Sequence, residues 1–329
     1  MAETRRAVVL FQLGGPGTQE AVEPFLYNLF CDPDIIDLPL AFLFREPLAR
    51  FIARKRAPIA KKLYASIGGG SPILPQTQMQ ATALRSMLAA RGHEMPVAIA
   101  MRYWHPRAEE TIRKLLDDGI EEVVLLPLYP HYSKATTGSS MREWNELVPR
   151  LHAERIHTTL IRSYHDHPLY IRSLVERVNE ALARVPKGER PKVHLLFSAH
   201  GTPMKLVRNG DPYSHQIRRT YELVLEQGNF GLPHHLCFQS KVGPQKWLTP
   251  SLVDAVKTLA DEKVSHVIVI PIAFVTDHIE TLSEISIEAR SEAMSLGITY
   301  FDMTAPLLTS ASFIECLCDL VLNPPRTSA

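Results

Sequence analysis

Apolar runs of strand length alternate with helical patterns along almost the whole chain, and no other feature limits its fold as much. Strand-like runs fall at 7–13, 95–101, 122–128, 158–163, 193–198, 235–239, 266–273 and 298–303. Between them, apolar residues recur at helical spacing over 75–91, 107–118, 169–185, 214–227, 251–263 and 279–295. A helix after each strand carries the chain back to the starting edge, so successive strands can lie parallel. The pattern predicts an α/β protein with mainly parallel sheets flanked by helices.

The runs also pair off. A-V-V-L-F-Q-L-G-G-P at 7–16 echoes V-H-L-L-F-S-A-H-G-T-P at 193–203, and E-E-V-V-L-L-P-L-Y-P at 121–130 echoes S-H-V-I-V-I-P-I-A-F at 265–274. Two related four-stranded halves follow, one domain over 1–165 and a second over 166–329, with the last helix expected to pack back towards the first. Matching Phe11 to Phe197 needs an offset of 186 and matching Pro127 to Pro271 one of 144, so the first half holds 42 extra residues. They fit best at about 25–71. That segment sets Leu40, Phe42, Leu43, Phe44, Leu48, Phe51 and Ile52 beside Arg45, Arg50, Arg54, Lys55 and Arg56. It reads either as an amphipathic element lying on a membrane surface or as a core-packing helix with a solvated basic face.

Composition removes several function classes. At 329 residues, 45% hydrophobic and 22% charged, the chain is long enough for two domains with cores of their own. A net charge of +1 offers no basic surplus for nucleic acid. No apolar run reaches the roughly 18 residues of a spanning helix, and no secretory signal is apparent, so a cytoplasmic location is expected. Cys31, Cys237, Cys316 and Cys318 lack C-x-x-C spacing and suggest neither a zinc ribbon nor a disulfide framework.

Two strand ends carry the candidate chemistry. The run at 193–198 stops at Ser198, Ala199, His200 and Gly201, which puts an imidazole at the carboxyl edge of a sheet, where open α/β sheets bind ligands. A neutral imidazole can ligate a metal or take a proton, although a hydrogen-bonded structural histidine is the plainer reading. The other edge is V-I-V-I-P-I-A-F-V-T-D-H-I-E-T-L-S-E at 267–284. On a regular helix Asp277, Glu280, Glu284 and Glu288 fall at i, i+3, i+7 and i+11, one stripe of carboxylates beside His278. Asp277 as N-cap with Glu280 closing a capping box explains part of it. A row of like charges entering a ligand-binding edge also suits a path for cations or protons.

Other motifs are weaker. L-G-G-P-G-T at 13–18 and G-G-G-S-P at 68–72 match neither G-x-G-x-x-G nor a Walker sequence, so no nucleotide site is read. In Y-P-H-Y-S-K-A-T-T-G-S-S at 129–140, Tyr132, Ser133, Thr136 and Thr137 form a hydroxyl-rich cap or a grip on a carboxylate. Arg102 and Tyr103, in M-R-Y-W-H-P, stand at another strand end, where a guanidinium takes a carboxylate bidentately or makes a local salt bridge.

Taken with L-F-C-D-P-D-I-I, F-I-A-R-K-R-A-P, G-G-G-S-P-I and F-Q-S-K-V-G-P-Q-K-W-L, these motifs run in the order found in ferrochelatases, from about residue 8 to about 290, and the chain resembles that family. The resemblance implies a chelatase-like fold of two Rossmann-like domains with a porphyrin cleft between them, and insertion of Fe²⁺ into protoporphyrin IX. It assigns His200 and Glu280 as the catalytic and metal-binding pair, with Asp277, His278 and Glu284 along a metal or proton path. Porphyrin contacts fall on Leu13, Leu29, Ile35 and Trp247, with Arg102, Tyr103, Tyr132, Ser133 and Thr136 on the polar side. Phe51, Ile52, Lys55 and Arg56 correspond to a lip touching a membrane, at the inner face for a cytoplasmic enzyme. Fe²⁺ and porphyrin are substrates, so no prosthetic group is expected, and the oligomer, monomer or homodimer, stays open.

Some positions depart from the family pattern. Gln12 stands where Asn is common, and His131 where Gln is common. Lys134 occupies the place of a cysteine in cluster-bearing members, and only C-L-C is present at 316–318, so no iron–sulfur cluster is expected. Leu13 favours protoporphyrin over coproporphyrin III, whose enzymes tend to carry a polar aromatic residue there. A coproporphyrin enzyme and a non-catalytic porphyrin or haem carrier are the rival readings.

Overall fold

A computed structural model describes residues 5–35, 41–241 and 245–325. It divides into two compact units, one of Met1–Ser163 with Ile314–Ala329 and one of Tyr164–Phe313. Each is built on a single four-stranded parallel sheet.

In the first unit the strands are β1 (Arg6–Gln12), β2 (Val97–Met101), β3 (Glu122–Pro127) and β4 (His157–Leu160), in the spatial order β2-β1-β3-β4. β1 and β3 are buried almost throughout, as central strands covered by helices on both faces must be, whereas edge strand β4 is largely exposed. α1 (Val22–Cys31), α2 (Ala41–Ser66) and α3 (Ile73–Ala90) lie between β1 and β2, and α4 (Ala108–Asp117) follows β2. A wide turn, Lys134–Gly138, and α5 (Ser139–Arg150) follow β3. Ala7, Val9 and Phe11 form one core with Ile112, Leu115, Trp144 and Leu147. Trp144 is fully buried, edge-on to Phe11 at 5.7 Å. Each such large apolar side chain contributes about 1.5–3 kcal/mol by leaving water.

The second unit repeats the topology. α6 (Pro168–Arg184) leads to β5 (Val193–His200), then come α7 (Met204–Arg208), α8 (Tyr213–Gly228), β6 (His234–Gln239), α9 (Leu252–Asp261) and β7 (His266–Pro271). A wide π-type helix, Glu280–Ala289, continues as α10 (Arg290–Ser295) and leads to β8 (Tyr300–Met303). The strand order is β6-β5-β7-β8, the counterpart of the first sheet. α11 (Ala311–Leu322) begins in this unit and ends in the first, so residues beyond Phe313 leave the expected 166–329 domain.

The echo between the halves is one of element order, not of residue register. β1 pairs Phe11 with Pro127, whereas β5 pairs Ser198 with Pro271. Matching Phe11 to Phe197 therefore slips the pairing by one residue, because similar apolar composition does not specify where each strand meets its neighbour.

The expected extra chain contains α2. Its inner face carries Ala49, Ala53, Ala57 and Tyr64, all buried, and small residues there let it lie close along α1. Its outer face exposes Phe44 (65%), Phe51 (60%) and Ile59 (66%) among Arg54, Lys55 and Arg56. Lys55 sits 5.5 Å over the Phe51 ring and Arg56 5.9 Å over Phe30, while Ile52 is half-buried. Leu40 and the side chains of Phe42 and Leu43 lie outside the described residues. No described helix is long and apolar enough to cross a membrane.

The regular helix expected over 279–295 is not what forms. Residues 280–289 take the wide i→i+5 arrangement, found mostly as short segments at functional sites. The expected capping box is also missing: Ile279 holds the N-cap position, and the Thr281 hydroxyl accepts from the His278 N–H at 3.0 Å.

Candidate functional site

The site in the second unit begins where β5 ends. His200 lies opposite Gln239 of β6, and the next residue, Gly201, donates its N–H to the Gln239 carbonyl at 2.8 Å. A Cβ at position 201 would stand 2.9 Å from that oxygen and 3.3 Å from the Trp247 ring, so glycine alone fits without displacement. The His200 Nδ1 lies 2.6 Å from the Gly201 carbonyl. A carbonyl only accepts, so Nδ1 carries the hydrogen and Nε2 keeps its lone pair.

Three further titratable side chains complete the cluster. His278 is buried, with Nε2 3.0 Å from the Thr276 hydroxyl, its ring edge-on to Phe274, and Nδ1 3.8 Å from the Glu280 carboxylate. Glu284 accepts from the Ser240 hydroxyl at 2.7 Å and from the Gln239 amide at 3.5 Å. Burial pushes the His200 pKa down, against opposing pulls from the Gly201 carbonyl and Glu284. His278 falls to about 3, through burial and then the neighbouring His200. Burial pushes the Glu280 carboxyl up, and pushes Glu284 up with Glu280 adding to the effect while Ser240 and His200 oppose it.

All four groups are thus biased towards their uncharged forms, the state of a desolvated cluster short of counter-charge. His200 Nε2 and the two carboxylates are the groups on offer to a cation. Among the described residues, no three ligating side chains converge tightly enough to hold one alone.

The expected row of four carboxylates resolves into a pair, because the chain enters a wide helix only at Glu280. Glu288 is exposed at the outer end, where Ser283 donates to it at 3.0 Å. Asp277 lines a different, water-sized cavity of about 10 Å³ together with Arg177.

The carboxyl edge of the first sheet holds a second polar cluster, built around Asp32. This carboxylate, its side chain wholly buried, accepts from Arg102 (2.8 Å), Tyr103 (2.8 Å), Arg142 (2.6 Å), the Asp34 N–H (2.9 Å) and Ser139. Burial pushes Asp32 up, but Arg102 and the hydrogen-bond donors outweigh it and hold the carboxyl below its ordinary value. Arg102 is further engaged by Glu143 at 3.2 Å and Ser139 at 2.7 Å.

These contacts give internal partners to part of the expected porphyrin set. Arg102 serves internal carboxylates, Tyr103 is a core ring only 1% exposed, and buried Ser133 accepts from the Ala135 N–H at the wide turn. Thr136 donates to the Ser133 carbonyl at 3.4 Å. Leu13, Leu29 and Tyr132 are partly exposed, as is Ile35 at 38%. Tyr132 lies 4.2 Å under the Arg162 guanidinium and borders an open pocket of about 540 Å³. Trp247 is half-buried beside Gly201 and forms a bridge with Pro203.

Sequence reasoning missed Asp32, Ser198, Gln239, Ser240 and Thr276. Each lies within a quoted motif but was given no role there, because isolated polar residues carry no periodic signal and their roles depend on partners brought together by the fold.

Comparison with known proteins places this geometry. Residues 5–324 match the ferrochelatase family model. Ferrochelatase of Gloeobacter violaceus is 44% identical over 98% of both chains, and that of Aquifex aeolicus 43% identical over 97% of this chain and 99% of its own. Among solved structures, SirB from Bacillus subtilis with Fe³⁺ aligns over 97% of this chain and 95% of its own, with a TM-score of 0.56 at 11% identity. The sirohydrochlorin chelatase SirB from Bacillus subtilis subspecies spizizenii, in complex with cobalt, gives 0.54 at 10% identity, covering 98% and 97%. At that identity the likeness shows a shared chelatase fold, whereas the family match and the relatives above 40% identity show that this chain belongs to the ferrochelatase family.

Proposed function

We propose that the protein inserts Fe²⁺ into protoporphyrin IX, forming protohaem and releasing two protons. One observation carries this reading: the His200 Nδ1–H is spent on the Gly201 carbonyl, which leaves Nε2 as a neutral base and nitrogen ligand in a cluster where Glu284 neighbours it and Glu280 neighbours His278. Insertion removes two pyrrole N–H protons while Fe²⁺ sheds water, so the site needs a base, a borderline metal ligand and a route for protons. His200 Nε2 takes a pyrrole proton. Glu280 and Glu284, with carboxyls biased towards protonation, accept protons in turn and replace water around the entering cation. His278 sits on Thr276 and faces Glu280, so it orients that carboxylate rather than serving as the first base.

The apolar side chain of Leu13 supports protoporphyrin over the tetracarboxylate coproporphyrin III. The outer face of α2, with Phe51 and Lys55, suits peripheral contact with a membrane surface from which an apolar porphyrin is drawn. Lys134 supports function without an iron–sulfur cluster; a visible cluster absorption band in purified protein would overturn that.

The test is anaerobic Fe²⁺ insertion, with Zn²⁺ as a second metal, using protoporphyrin and coproporphyrin III in parallel. Wild type should turn over protoporphyrin faster, and His200→Ala and Glu280→Gln should lose turnover while still binding porphyrin. Binding without insertion by the wild type would favour a carrier, and a coproporphyrin preference would reassign the substrate.

A further inference from the structure

Gln239 has no part in the reading above, yet it joins the two elements that carry the site. It is the last residue of β6, only 3% exposed, and lies opposite His200 in the sheet. Its backbone carbonyl accepts from Gly201, which fixes the exit of β5 immediately after the imidazole. Its carboxamide faces the wide helix. Ser198 donates to Gln239 Oε1 at 2.8 Å, and Nε2 donates to the Glu280 carbonyl at 2.9 Å and, more weakly, to Glu284 Oε2 at 3.5 Å.

The Glu280 backbone carbonyl, which can only accept, settles which way round the amide stands, and the Ser198 hydroxyl then donates to its oxygen. With Oε1 taken by a donor, both Nε2 hydrogens point at the helix; turned over, Oε1 would face a carbonyl and a carboxylate with no hydrogen between them. The Glu280 carbonyl and the Glu284 carboxylate stand about one turn apart on the wide helix, and one amide nitrogen reaches both. Through it Gln239 ties the helix to the strand beside His200.

We propose that Gln239, held by Ser198, is a positioning residue that sets the spacing between the His200 imidazole and the Glu280 and Glu284 carboxylates. The proposal rests on the metal-insertion reading. It concerns the reacting geometry and not porphyrin affinity, because the Gln239 amide reaches Ser198, Glu280 and Glu284 and none of the residues assigned to the porphyrin.

Gln239→Met keeps side-chain volume while removing donor and acceptor, and Ser198→Ala removes the hydrogen bond that anchors the amide oxygen. With Zn²⁺ and protoporphyrin, Gln239→Met should lose about 10- to 100-fold in kcat, the scale of a misplacement near 1 Å, with porphyrin KM within twofold of wild type. Ser198→Ala should lose less, and the double variant no more than Gln239→Met alone, since both break one chain of contacts. Thermal melts identify any variant that fails to fold; should Gln239→Met do so, Ser198→Ala decides. A folded Gln239→Met with kcat within twofold of wild type, losses that multiply in the double variant, or porphyrin KM rising in step with the loss of kcat would overturn the positioning role alone. A wild-type protein that inserts no metal would overturn it together with the reading it rests on.

Discussion

The two sheets share strand order, and each gathers polar groups at its carboxyl edge, but the clusters have opposite electrostatic character. Asp32 is met by two guanidiniums, a phenol, a hydroxyl and a backbone N–H, so its charge is answered and its carboxyl held low. Burial holds the Glu280 and Glu284 carboxyls high, and the two imidazoles near them are themselves pushed towards neutrality by burial, so little counter-charge answers them. The same edge of two alike sheets thus supports two different outcomes. A buried charge with complete partners braces a unit; buried titratable groups without them remain ready to exchange protons or take a cation.

The largest expected effect tests the open cluster. His200→Ala should lower kcat for metal insertion by about 10²–10⁴-fold, the usual share of a positioned base, without lowering the melting temperature. A His200→Ala protein that melts markedly earlier, with turnover intact, would make this histidine structural and erase the contrast.

Next comes the braced cluster. Asp32→Ala leaves Arg102 and Arg142 facing each other without their shared carboxylate and should cost about 3–5 kcal/mol in denaturant unfolding. Glu284→Ala, which removes a carboxyl the fold disfavours charging, should cost far less. Equal losses would break the comparison.

Acid titration of stability sharpens it further. The imidazole of His278 has a folded pKa of about 3 against an ordinary value near 6.5, so its contribution is complete above pH ~6.5 and is lost as pH falls towards 3. Asp32, also depressed, contributes fully above the ordinary carboxyl value of about 4 and loses that contribution only below it. His278→Gln should therefore flatten the early part of the acid limb relative to wild type, and Asp32→Asn the late part. Stability curves for the variants that parallel wild type throughout would show that neither group is perturbed by the fold.

The smallest effect belongs to the outer end of the acid row. Glu288 is exposed, so Glu288→Gln should change stability by no more than about 0.5 kcal/mol and leave kcat for insertion near wild type. A large loss of turnover there would extend the working cluster further along the wide helix.

The eight strands were legible in the chain because a central parallel strand must be apolar on both faces, and runs such as V-V-L-L-P carry that demand locally. His200 and Glu280 stood out as candidates because each follows such a run. Arg102 stayed open between two readings for the converse reason: a strand-end arginine looks the same whether it awaits a ligand or already serves a carboxylate 70 residues away, as it does with Asp32. The carboxylate stripe was misread because spacing assumes a regular helix, and nothing local announced the wide one.

Alternation of apolar runs, a property of neighbouring residues, was enough by itself to determine two parallel α/β halves and the edges at which their polar clusters gather. Which polar groups at those edges are satisfied, and which remain chargeable, was decided only by the tertiary structure. The reason is physical: the cost of a buried charge depends on the sum of everything that reaches it in space, and for Asp32 that sum includes Arg142, 110 residues away.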